Sequence, residues 1–122
     1  MTAMQGGVVF RVASDLFFLP ATVAQRVAPV PKMGRIPSAP PDLCGLALVE
    51  GEMIPIVAVA EPRTAMLVVQ YLGERLGIVG VEVVATGRFE TQHDRVLYAG
   101  ELARLFDISA VVARVRDTRW VV

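Results

Sequence analysis

Between Arg35 and Val59 the chain has little freedom in how it can fold. Pro37, Pro40 and Pro41 pin φ and lack amide donors, so this segment is expected to be a fixed loop that presents a surface. A lone Gly45 follows, and then the apolar runs Leu46–Val49 and Met53–Val59 stand on either side of Glu50-Gly51-Glu52. Two such runs around a turn, with Gly51 free to take positive φ, predict a β-hairpin. Pro55 in the second arm cannot donate to a ladder, which places it at an edge or a bulge.

The rest of the chain repeats this alternation of short apolar runs and turns. Gly7–Val12 is β-branched and aromatic and predicts a first strand, with Ser14-Asp15 turning the chain into Leu16–Leu19. Pro20 can open a short helix carrying Ala21, Ala24 and Val27 at three-residue spacing, ended by Pro29 and Pro31; an irregular bend fits equally well. Thr64–Tyr71 and Arg75–Val81 form a second apolar pair around Gly73-Glu74, and Glu82–Phe89 continues as strand or turn. Arg95–Tyr98 reads as a last strand. From Glu101 onward the pattern is helical, with Leu102, Leu105, Phe106 and Ser109–Val112 on one face and Asp107 or Ser109 as a cap. Many short strands at this spacing point to an all-β barrel or sandwich rather than alternating β and α units.

At 122 residues the chain is expected to be a single domain, able to bury roughly two-thirds of its unfolded surface. Apolar residues make up 54%, charged residues 20%, and the formal net charge is zero, a profile of a folded protein with no electrostatic reason to bind nucleic acid or an anionic membrane. Cys44 is the single cysteine, so no internal disulfide forms, and no cluster of thiols and histidines stands near it to hold a metal. The first residues do not resemble a secretory signal, and no uninterrupted apolar run reaches the roughly 18–20 residues that span a bilayer. The expected setting is the cytoplasm, with no direct membrane insertion.

A search for reaction chemistry finds little. His93 is the only histidine and lies in a polar stretch, Thr91-Gln92-His93-Asp94, that reads as an exposed turn. Ser14, Ser38 and Ser109 lack the Gly-x-Ser-x-Gly context of a nucleophile elbow. Glu50 and Glu52 flank a turn and read as solvated hairpin residues, while the spacing of Gly73, Gly77 and Gly80 matches neither a dinucleotide fingerprint nor a phosphate loop. Arg114, Arg116 and Arg119 near Trp120 are interrupted by Asp117 and read as a solvated tail, from which Trp120, Val121 and Val122 fold back or tether a partner. The profile is that of a non-catalytic binding module without metal or cofactor. The alternative from another class is a small ligand-binding or hydrolytic β-barrel built around His93, Asp94 and Arg95.

The order and spacing of several segments resemble the CheW family, small adaptors that join chemoreceptors to a histidine kinase in bacterial sensory arrays. The similarity rests on Val9-Phe10-Arg11-Val12, Arg35-Ile36-Pro37-x-x-Pro40, Gly45, Gly51, Met53-Ile54-Pro55-Ile56-Val57 and Leu72-Gly73-Glu74-Arg75-Leu76-Gly77-Ile78-Val79. It ends with Arg95-Val96-Leu97 leading to Glu101-Leu102-x-x-Leu105. The implied fold is a single domain over 1–122 made of two SH3-like β-barrel subdomains around a shared core. Residues of about 8–60 supply the first half, about 64–106 a shortened second half, and 107–122 a short C-terminal helix and tail.

The resemblance also implies partners: the cytoplasmic tip of a methyl-accepting chemoreceptor, lying in an apolar groove between the subdomains, and the regulatory domain of a CheA-type histidine kinase or another CheW-like protein. Matched position by position, the receptor-contacting set is Ala24, Arg26, Gly45, Glu50, Gly51 and Ala65. Two departures stand out. The family usually has a glutamate at the position of Arg26 and an arginine at the position of Glu50, where its turn reads Leu-Arg-Gly against Val49-Glu50-Gly51 here. Both signs are inverted, and the expectation is that the two side chains pair, keeping the interaction while reversing its polarity and shifting partner specificity. The second departure is a shortened link: only Glu90–Asp94 joins the strand ending near Phe89 to the one starting at Arg95. The second barrel is therefore expected to be incomplete, with an exposed edge, and kinase docking to be weakened.

Overall fold

The computed structural model describes residues 3–34, 43–61 and 63–117, with the side chains of 116 and 117 excepted. The expected proline-pinned loop at Pro37, Pro40 and Pro41, and the Trp120 tail, lie outside the described residues. Ten strands precede one helix: β1 (Met4–Val12), β2 (Asp15–Pro20), β3 (Ala24–Ala28), β4 (Leu43–Val49), β5 (Glu52–Ala58), β6 (Met66–Tyr71), β7 (Glu74–Val79), β8 (Glu82–Gln92), β9 (Arg95–Tyr98), β10 (Glu101–Leu105) and α1 (Ile108–Asp117). Two-residue turns join five of the strand pairs, and each opens on a residue at positive φ: Ala13, Glu50, Leu72, His93 and Ala99. Such turns match the twist of the strands they connect and fix the register of each hairpin.

The strands divide into two sheets by interleaving rather than by halves of the chain. The first and last parts join in a closed barrel of order β1-β2-β10-β9-β8, and the middle forms a five-stranded sheet of order β3-β6-β7-β5-β4. The largest core cluster draws on both sheets and on α1, with Val8 and Phe10 from β1, Val57 from β5, Leu67 and Val69 from β6, and Ile108, Val111 and Val112 from the helix. Phe10, Phe17 and Phe106 form an aromatic group within it, with Phe106 edge-on to both of the others at 5.4 Å. Each sheet keeps a further cluster of its own, around Ile54, Ile56 and Val68 in the middle sheet and around Val9, Leu16 and Val96 in the barrel.

Four expectations change on contact with the structure. The segment from Pro20 to Val27 is not a helix: a turn held by Ala21 N–H to Gly6 O and Val23 N–H to Pro20 O, each 2.9 Å, leads into β3, which pairs with β6. One turn of three-residue spacing cannot nucleate a helix against the gain of completing a sheet edge. Likewise Glu101–Leu105 is strand β10, because the tight turn at Ala99-Gly100 hands β9 directly to it and β2 pairs with its end. The helix starts only at Ile108, after the Asp107 cap. Pro55 sits in an inner strand, yet β7 begins to pair with β5 only at Ile56, so the missing N–H faces no ladder partner there.

The fourth change concerns the shortened barrel, which is closed and not incomplete. Strand β8 is eleven residues long, enough to pair with β1 along one side and with β9 at its far end through Glu90, Thr91 and Gln92. The two-residue turn at His93-Asp94 then suffices to close the order. Where the ladder to β9 stops, Tyr98 Oη donates to Val84 O at 3.4 Å, and Phe89 packs edge-on between Phe18 and Tyr98 to fill that end of the barrel.

Candidate functional site

The middle sheet has two edge strands, β3 and β4, which exchange no ladder of hydrogen bonds. The sheet nevertheless curls until they meet. Gly34, beyond the end of β3, bridges Leu46 of β4 through N–H to O bonds of 2.9 and 3.0 Å. A Cβ on Gly45 would come within 2.4 Å of Gly34 O, so glycine is what permits this approach. At the other end of the contact Glu50, at the tip of the β4–β5 hairpin with φ 50°, reaches back toward β3. Its turn partner Gly51 has φ 81° and open space around its Cα, which makes its requirement conformational and not steric.

Glu50 is held by two arginines. Arg26 Nε lies 3.0 Å from Oε1 and Arg75 Nη2 lies 3.3 Å from Oε2, so both carboxylate oxygens are engaged. Arg75 also donates from Nε to Gln25 Oε1 at 3.1 Å, and Gln25 Nε2 donates to Gln70 Oε1 at 2.6 Å. The register between Ala24 and Arg26 on β3 shifts by one residue against β6, a bulge of the kind that re-aims side chains, and Gln25 is the residue it releases. Arg75 and Gln70 face each other in the β6–β7 hairpin. These residues, with Ala21, Glu52 and Gly73, line a polar groove of about 650 Å³.

A second, apolar groove of about 390 Å³ lies beside it, between the barrel and the middle sheet. Leu19, Val23, Tyr71, Leu105 and Phe106 supply most of its wall. The helix start forms its rim, where the Asp107 carboxylate accepts from Ser109 Oγ at 2.6 Å and from Ala110 N–H at 3.2 Å. These two donors, the hydroxyl first, hold the Asp107 carboxyl below its usual range. Gln70 lines the polar groove and Tyr71 the apolar one, and because successive side chains of a strand point to opposite faces, the two grooves flank β6 on its two sides.

Of the six residues singled out in the sequence, the structure brings Arg26 and Glu50 into direct contact, with Gly51 in the same turn as Glu50. The expected pairing of inverted charges is realised. Ala24 is buried in the shared core, Gly45 belongs to the approach of Gly34, and Ala65 is half-buried just before β6. None of these three lines the polar groove. Sequence reasoning missed Arg75, Gln25 and Gln70. Arg75 was missed because the turn was read around Gly73-Glu74, whereas the chain turns at Leu72-Gly73 and so sets Gln70 opposite Arg75; the bulge that frees Gln25 has no signature in the sequence. His93 is exposed at a hairpin tip. Among the described residues no group of three or more His, Cys, Asp or Glu is placed to hold a metal, and no helix is long and apolar enough to cross a membrane.

A fold of interleaved barrel and curled sheet, with grooves between and beside them, marks a domain class as well as an architecture. The CheW-like domain family matches residues 6–93, and the chain belongs to that family. Its members are non-catalytic scaffold domains, and the alternative of an enzyme built on His93 falls with that assignment. In fold the chain is similar to the scaffolding protein TtCheW from Thermoanaerobacter tengcongensis, with a TM-score of 0.65, 17% sequence identity, and coverage of 84% of this chain and 88% of that one. No curated protein sequence matches it.

Proposed function

We propose that this chain is a cytoplasmic adaptor of bacterial chemosensory signalling that binds the cytoplasmic tip of a chemoreceptor and couples only weakly to the histidine kinase. The observation that carries this reading is the contact of Arg26 with Glu50 at 3.0 Å, on a CheW-family fold, beside an apolar groove between the two sheets. The receptor's helical hairpin tip lies in the apolar groove, and Arg26, Glu50 and Gly51 meet its polar flank. The buried Ala24, with Gly45 and Ala65, supports that surface from behind. Weak kinase docking is inferred from the short link: a two-residue turn at His93-Asp94 leaves the closed barrel with less surface than a longer segment would give it. In this the chain resembles the small divergent CheW-like protein of the Frz system that governs gliding reversals. An ordinary coupling protein, binding the kinase regulatory domain or another CheW-like protein as well, is the competing reading.

Calorimetric titration of the full chain, separately with a receptor signalling-tip fragment and with the kinase regulatory domain of the same organism, tests this. Binding to the receptor alone is the expected result. Binding to both makes the chain an ordinary coupler, and binding to neither overturns the adaptor reading.

A further inference from the structure

Arg75 is assigned no role by the resemblance, yet it governs what the polar groove offers. Both oxygens of the Glu50 carboxylate stand in ion pairs, one with Arg26 and the other with Arg75. Arg75 is in turn fixed by Gln25, which is tied to Gln70, and its side chain is only 18% exposed, against 49% for Arg26 and for Glu50. A clamp held this way has little freedom to turn toward a partner. Arg26 differs: it approaches Glu50 through Nε, and beyond that ion pair no described residue bonds its guanidinium. Its Nη1 and Nη2 edge is two parallel N–H donors on a half-exposed side chain, the geometry that matches a carboxylate in both oxygens at once.

The charges point the same way. The groove as a whole carries two arginines and two glutamates, and the positive character is local to the contact, where Arg26 and Arg75 face the single carboxylate of Glu50. Glu52 lines the same groove, but it is exposed and takes part in none of these contacts. Without Arg75, the second oxygen of Glu50 would face the groove and repel an incoming acid. We infer that Arg75 is the positioning residue that sets the polarity of this groove, and that the partner meets Arg26 with an aspartate or glutamate side chain. The inference rests on the reading that this groove faces the chemoreceptor, and it adds the chemistry of the residue that the receptor must present.

The test uses the full-length chain, a receptor signalling-tip fragment of the same organism, and a panel of that fragment in which each acidic residue is changed singly to its amide. Arg26→Met is expected to weaken binding about twofold to fivefold, the size of a half-exposed charge pair. One amide substitution in the panel should match that loss and add nothing further in the Arg26→Met background. Arg75→Met should weaken binding as well and shift the preference toward fragments with the acid removed, while Arg75→Lys, which keeps a cation near Glu50, should lose less. Thermal melts of each variant verify that it is folded. A wild-type chain that does not bind the fragment overturns the adaptor reading and this inference together. Binding that is indifferent to Arg26→Met and Arg75→Met, or that couples Arg26 to no acidic position, overturns this inference alone.

Discussion

The barrel and the middle sheet solve the same problem, a row of unpaired strand edges, by different means. In the barrel every neighbouring pair in the order β1-β2-β10-β9-β8 is joined by backbone hydrogen bonds, including the return from β8 to β1. Its ion pairs, Arg11 with Glu101 at 2.9 Å and Arg104 with Asp15 at 3.7 Å, lie over strands already in place. In the middle sheet the edges β3 and β4 share no ladder, and what draws them together is one bridge between Gly34 and Leu46 and the side-chain contact of Arg26 with Glu50. A sheet closed by its backbone leaves no polar groups looking for partners. One brought together by side chains leaves a groove lined with charge, and that is where a partner has something to recognise.

This contrast can be broken most forcefully at the core the two regions share. Phe10→Ala removes a fully buried ring in contact with Phe17 and Phe106 and should cost about 3–5 kcal/mol. Denaturant unfolding followed by far-ultraviolet and aromatic signals should stay a single transition; two separated transitions would mean that barrel and sheet are independent units.

A smaller effect is expected at the seam of the middle sheet. Gly45→Ala puts a methyl group against the Gly34 carbonyl, and overlap with backbone of this kind costs about 1–3 kcal/mol. Amide hydrogen exchange at Gly34 and Leu46 should quicken while the barrel strands stay protected. Equal loss of protection in both regions would refute the idea that the seam is the weaker closure.

The charge contact comes next. Arg26 and Glu50 are each half exposed, so solvent screening holds their coupling to about 0.2–1 kcal/mol in a double-mutant cycle of stability, falling as salt is raised. Exchanging the two, Arg26→Glu with Glu50→Arg, should be milder than Glu50→Arg alone. It should not be neutral, because Arg75 would then face an arginine at position 50. Simple additivity of the two single changes would sink the pairing.

The smallest effect belongs to the helix start. The lowered Asp107 carboxyl, bonded by Ser109 and Ala110, is a group whose folded pKa lies below its unfolded one. Its contribution is therefore fully present above the ordinary aspartate range and is lost as pH falls through the lowered folded value. Melting temperatures of the wild type and Asp107→Ala should differ at neutral pH and converge in strong acid; a gap that persists in acid would mean that Asp107 acts other than as an ionised cap.

Much of this molecule was legible before folding was considered. The hairpin at Glu50-Gly51 was read at its observed position, because a glycine between two apolar runs admits few backbone solutions. The pairing of Arg26 with Glu50 was legible as well, though only as two charges whose signs were both inverted relative to a family pattern. Legibility failed where local preference and long-range pairing disagree. Pro20–Val27 and Glu101–Leu105 carry helical spacing, but each lies beside a strand whose hydrogen bonds it completes, β6 for the one and β2 and β9 for the other. The helix survived only at Ile108–Asp117, where Ile108, Val111 and Val112 find the shared core and no strand competes for the backbone.

The amino-acid sequence by itself determined most of the units: the apolar runs that became β1, β2 and β4 to β7, the tight turns between them, and the all-β class. These are local properties of side-chain shape and backbone freedom. Tertiary structure decided how the units combine, with the first two strands joining the last three in one barrel, the middle sheet curling so that the Arg26–Glu50 pair, expected from the family pattern, has a geometry to form in, and Arg75 occupying the other side of that carboxylate. Those contacts join residues twenty-four or more positions apart in the case of Arg26 with Glu50 and Glu50 with Arg75. No local preference encodes such a meeting; it follows from the twist and register of every strand between them.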